Sequence, residues 1–93
     1  MSCFERCKNA RHTGCVDRYI FYDCEALTDV DCDKLERIGE RAFQRCESLR
    51  SMNLPFMEIV KWGAFSVCLQ LMDVTFGDKL ESIGGGAFNY SPL

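Results

Sequence analysis

Cys3, Cys7, His12 and Cys15 are the one group in this 93-residue sequence whose residue types could hold a metal. Three thiolates and an imidazole make a tetrahedral donor set suited to zinc. Their spacing, C-x3-C-x4-H-x2-C, departs from the usual zinc patterns. Cys7 also has a second explanation, given below, so an irregular N-terminal cap is the better-supported reading and no metal site is expected. His12 is the sole histidine, and a Ser-His-Asp or Cys-His nucleophilic site would have to be built on it. It lies in the least regular part of the chain. Gly84, Gly85 and Gly86 resemble a phosphate loop only in their glycines, because no Lys-Ser/Thr pair follows them. The sequence thus offers no catalytic set, and a non-enzymatic protein without a cofactor is expected.

Composition narrows the class further. Apolar residues make up 47% and charged residues 27%, a balance that folds. The net charge of −3 provides no basic stripe for nucleic acid. No apolar run approaches the roughly 18 residues of a membrane span. The N-terminus carries charges with no apolar stretch behind them, which does not read as a secretory leader. As written the chain is expected in the cytoplasm, and at the cell surface if it is a fragment of a longer protein. Seven cysteines leave at least one thiol that cannot pair within the monomer.

The elements that would position any site come from an internal repeat. Phenylalanine recurs at Phe21, Phe43, Phe65 and Phe88, in steps of 22, 22 and 23 residues. Three positions after the first three stand Cys24, Cys46 and Cys68, with Ser91 in the fourth copy. Leu27, Leu49 and Leu71 follow three positions later. Ile20, Ala42, Ala64 and Ala87 precede each phenylalanine, and Val16, Ile38, Val60 and Ile83 lie five positions before it. Phe4, Cys7 and Ala10 read as a shortened earlier copy.

Alternating apolar residues predict short strands near 27–32, 49–54 and 71–76, each with one buried face. The segment from Ala42 to Cys46 is apolar at i, i+1 and i+4, which predicts about one helical turn against the core. Gly39, Gly63 and Gly84 mark the bend before it. A single unit of this length cannot bury its own apolar side, whereas stacked units can, with each buried position becoming a column.

The run from Leu35 through Ile38, Ala42, Phe43 and Cys46 to Leu49 resembles the BspA-type leucine-rich-repeat family, as does the run from Leu80 through Ile83, Ala87 and Phe88 to Leu93. The resemblance covers residues 16–93 well and 1–15 poorly. It implies an α/β leucine-rich-repeat solenoid, with a short parallel sheet on one side and short helical turns on the other. Residues 1–15 would form an irregular or truncated cap. Residues 16–93 would form three to four repeats, a fragment of a longer array. Members of the family are often cell-surface proteins linked to adhesion, so the resemblance also implies a partner-binding concave strand face. An intracellular scaffold is the alternative.

On the predicted strands, Asp29, Asp31 and Asp33, then Ser51 and Asn53, then Asp73 and Thr75 fall at outward positions. They form a polar, acidic strip suited to a basic protein partner; the alternative is a strip that only keeps the sheet soluble. The cysteine column is expected to be reduced and buried as small apolar filler, although the roughly 4.8 Å spacing of coils would allow a disulfide between neighbours. Arg37, Glu40, Arg41, Arg45, Glu47 and Arg50 are expected to wet the convex side. Phe56 and Trp62 are either exposed contact anchors or packed on a neighbouring coil. Open sheet edges at the solenoid ends predict self-association.

Overall fold

The computed structural model describes residues 14–28, 30 and 34–93. The phenylalanine period is the period of the backbone. Phe21, Phe43, Phe65 and Phe88 stack ring on ring, with centroids 5.0, 5.2 and 5.2 Å apart and planes within 16° of parallel. That spacing is the separation of neighbouring strands in a sheet, so like side chains of successive coils lie in register. Around this line run further columns that are fully or almost fully buried: Cys24, Cys46 and Cys68; Leu27, Leu49 and Leu71; Ala42, Ala64 and Ala87.

Six short strands make two parallel sheets. β1 (Gly14–Val16), β2 (Leu35–Ile38), β4 (Ile59–Val60) and β6 (Ser82–Ile83) form one sheet in that order; β3 (Ser51–Leu54) and β5 (Asp73–Phe76) form the other. Each strand pairs with its counterpart one coil away, Ile38 with Val60 and Met52 with Val74 for example. Parallel neighbours separated by a whole coil are what a solenoid requires and what a hairpin cannot give.

The sheet of β3 and β5 occupies two of the three expected strand positions. Met52 and Leu54 point inward and Ser51 and Asn53 outward, following the period of two. Half of the expected strand near 27–32 falls outside the described residues, and Leu27, Thr28 and Val30 belong to no strand. The larger sheet was not foreseen. Its β2 buries Leu35 and Ile38 and exposes Glu36 and Arg37, a spacing of three that does not look like a strand. Its pairing with β1 contains an irregularity between Gly14 and Cys15, which is how a short strand accommodates such a shift.

The expectation of short helical turns is corrected. No helix occurs among the described residues, and the phenylalanine segments are chains of tight turns. The reason lies in the backbone. Two positions before each phenylalanine, Tyr19, Arg41, Gly63 and Gly86 have φ between 54° and 68°; two positions after it, Asp23, Arg45, Val67 and Tyr90 have φ between 59° and 63°. A left-handed residue at both flanks cannot continue a right-handed helix. It is instead the third residue of a turn closed by a bond such as Ala42 N–H to the Gly39 carbonyl (3.2 Å) or Cys46 N–H to the Phe43 carbonyl (3.3 Å), the signature of a type II turn.

The left-handed residues also redirect amides along the solenoid axis. Arg41, Phe43 and Arg45 donate to the carbonyls of Trp62, Ala64 and Ser66 in the next coil, at 3.2, 2.8 and 2.9 Å. Tyr19, Phe21 and Asp23 donate in the same way to Glu40, Ala42 and Gln44, and Gly63, Phe65 and Val67 to Gly85, Ala87 and Asn89. The turn side is therefore hydrogen-bonded from coil to coil almost as a sheet is.

Candidate functional site

Four of the seven residues of the expected strip are placed. Ser51, Asn53, Asp73 and Thr75 are exposed, and the pairing of β3 with β5 sets Ser51 beside Asp73 and Asn53 beside Thr75. Two rows of short polar side chains thus cross two adjacent strands, held from behind by buried Met52 and Leu54 and by half-buried Val74 and Phe76. Asp29, Asp31 and Asp33 lie outside the described residues.

Beside this strip lies a polar groove of about 520 Å³ lined by Thr28, Ser48, Arg50, Ser51 and Gln70. Arg50 was assigned from the sequence to the mixed-charge convex run. The structure places it instead at the edge of the strip, where its carbonyl accepts the Met72 amide at 3.0 Å. The groove adds a cation to a face whose placed members carry a single carboxylate, that of Asp73. A strand-edge position followed by an outward serine was the signal available for it.

The cysteine column is reduced and does more than fill space. The Cys46 thiol donates to the Phe21 carbonyl at 3.2 Å and the Cys68 thiol to the Phe43 carbonyl at 3.1 Å. Each of these carbonyls also accepts an amide of its own coil, Cys24 and Cys46 respectively. A small buried donor at this position therefore satisfies the second lone pair of a carbonyl in the interior. In the fourth copy the Ser91 hydroxyl donates to the Phe88 carbonyl of its own coil at 2.6 Å. Burial pushes the Cys68 thiol up to about 12, which leaves it protonated and unreactive at neutral pH. Cys15 is free and exposed. Cys3, Cys7 and His12 lie outside the described residues, and no group of metal-ligating side chains occurs among the described ones.

Phe56 and Trp62 are both exposed, at 51% and 43%. Trp62 also packs on its neighbour: the Arg41 guanidinium lies 4.5 Å from the Trp62 ring centroid and 6.0 Å from that of Tyr19. Trp62 is thus exposed and packed on the neighbouring coil at once. Arg41 departs from the expectation of a solvated charge, since it is half-buried and its Nε is buried with no acceptor. Among the described residues no helix is long and apolar enough to cross a membrane.

Parallel strands recurring once per coil, leucine and phenylalanine columns, and a polar row on the short strands define a leucine-rich-repeat solenoid. The family model for the BspA type leucine-rich repeat region matches residues 1–93 as six copies, and the chain belongs to that family. The fold is similar to the crystal structure of a leucine-rich cell surface protein from Faecalibacterium prausnitzii A2-165, with a TM-score of 0.60 and 22% identity. The alignment covers 95% of this chain and 33% of that protein, so the chain spans about one third of its length. Comparison with curated proteins finds no match.

Proposed function

We propose that this chain is a non-catalytic protein-binding repeat module of the adhesion type, working at the cell surface as part of a larger solenoid. It engages its partner through the outward row of β3 and β5. The observation that carries the reading is the exposed pair of rows Ser51–Asp73 and Asn53–Thr75 on a rigid two-stranded platform. Short polar side chains on strands lose little conformational freedom when a partner docks. A flat strand surface repeated coil after coil is how solenoids build extended binding faces. On this reading Asp29, Asp31 and Asp33 continue the row, and the partner presents basic groups opposite Asp73 and its aspartate neighbours. Arg50 in the adjoining groove meets an acceptor. The cell-surface assignment draws on family membership and on the printed description of the Faecalibacterium protein.

The intracellular-scaffold alternative draws on Cys24, Cys46 and Cys68, which form no disulfide. Its force is reduced by their burial, because a buried neutral thiol survives in either compartment.

The test compares proteins captured by the immobilised chain with those captured by an Asn53→Arg, Asp73→Lys double variant and by Arg45→Glu on the turn side. Partners held through the strand face disappear with the double variant and persist with Arg45→Glu. Equal capture by all three chains would remove the β3–β5 face from the reading.

A further inference from the structure

One corner of the solenoid changes composition halfway along. Two positions before the phenylalanine the column reads Tyr19, Arg41, Gly63, Gly86; three before, Arg18, Glu40, Trp62, Gly85; one after, Tyr22, Gln44, Ser66, Asn89. The first two coils fill this corner with long side chains, whereas the next two keep only Trp62 and Asn89 and otherwise place glycine or serine there. The result is a cleft of about 310 Å³ floored by Gly63, Gly85 and Gly86 and walled by Arg41, Trp62, Gln44 and Asn89. It lies away from the β3–β5 row and shares no residue with it.

The lining has a definite chemistry. In a chain of net charge −3, the cleft contains a guanidinium and no carboxylate. That guanidinium is fixed against the Trp62 ring at 4.5 Å, and its Nε is buried without an acceptor. Ring packing orients it, no carboxylate lines the cleft, and with Nε buried the two terminal nitrogens are the edge left for a planar bidentate anion. The other polar groups, the carboxamides of Gln44 and Asn89 and the hydroxyl of Ser66, both donate and accept. Neighbouring hydroxyl groups need that combination. A peptide terminus would ask instead for an apolar side-chain pocket, which glycine floors do not provide.

The geometry points to a binding site for a carboxylate-bearing sugar unit, with its carboxylate on Arg41 and its hydroxyls on Gln44, Ser66 and Asn89. Gly85 lines the cleft and a Cβ on it meets nothing within 4 Å, so a bulky side chain there competes with a ligand for this space without pressing on the coil.

Calorimetric titration of the whole chain with galacturonate, glucose and acetate tests the site. Galacturonate gives saturable binding, with glucose and acetate each weaker by roughly tenfold or more, since each offers only half of the recognised groups. Arg41→Lys weakens galacturonate by roughly tenfold by replacing the bidentate fork with a point charge, and Gly85→Leu abolishes binding while its urea midpoint stays near that of the parent. If Gly85→Leu fails to fold, Arg41→Lys decides. A tetragalacturonate that binds more tightly than the monomer makes an acidic polysaccharide the source, and equal binding makes it the free sugar acid. Absence of saturable galacturonate binding, binding as tight with glucose or acetate, or binding unchanged in Arg41→Lys would overturn the assignment.

Discussion

At the scale of single residues, the fold asks for two properties that side-chain chemistry alone does not announce: a left-handed backbone and a buried donor. Arg45 is exposed yet sits at φ 63°. A side chain in that conformation costs about 1–2 kcal/mol, and glycine gives back part of it in chain entropy. Arg45→Gly should therefore raise stability by about 0.5–1 kcal/mol in urea denaturation. Gly63→Ala should act in the opposite direction, because its φ is 66° and the new Cβ would stand 3.1 Å from the Arg41 Cγ.

The buried donor has a signature in pH. The Cys68 thiol is raised from 9.0 to about 12. Below pH 9 both folded and unfolded chains hold the proton, and stability is whole. Above it the unfolded chain releases the proton first, so stability falls as pH climbs through the folded value. The parent should lose urea resistance relative to Cys68→Ser between pH 9 and about 10.5. A constant gap between the two midpoints would show that this thiol titrates normally.

At the scale of elements, the repeat was legible because burial repeats with it. The Phe, Cys and Leu columns could be written from the sequence, and so could two alternating strands, expected near 49–54 and 71–76 and found at 51–54 and 73–76. The strands ending in Ile38, Val60 and Ile83 were hidden by their shortness and by spacing of three rather than two. The turn side was misread because apolar residues at i, i+1 and i+4 suit a helix and a pair of tight turns equally. The deciding feature, positive φ, is advertised at Gly63 and Gly86 but falls also on Tyr, Arg and Val, which do not announce it. The strip was legible from alternation, whereas the Arg41 corner depends on which side chains in neighbouring coils are missing.

Energetics at this scale should follow the columns. Phe43 packs between two rings and is wholly buried, so Phe43→Ala should cost about 3–5 kcal/mol in equilibrium unfolding. Gly39 is a different kind of constraint. A Cβ there would lie 2.5 Å from the Arg18 nitrogen and 2.8 Å from the Asp17 carbonyl carbon, both backbone atoms. Gly39→Ala must push two coils apart, and should lower the melting temperature far more than Gly85→Ala, where the space is open.

At the scale of the whole molecule, β6 pairs among the described residues with β4 on one side only, and Ile83 on it is 45% exposed. Such an edge invites pairing. The chain studied by itself should associate as its concentration rises, as read by sedimentation velocity, and Ile83→Lys should suppress this. Identical sedimentation of parent and variant at all concentrations would exclude the edge as the contact.

The form of that association is dictated by the amides on the turn side. All nine bonds from Tyr19, Phe21, Asp23 and their counterparts point from one coil to the coil that follows it. The stack consequently has an arrow. Two last coils cannot meet through their turn sides, where donor would oppose donor, whereas the β6 edge carries both donors and acceptors and can pair with its own copy. Contact edge to edge therefore closes as a pair, while contact that carries the arrow onward from copy to copy grows into a thread.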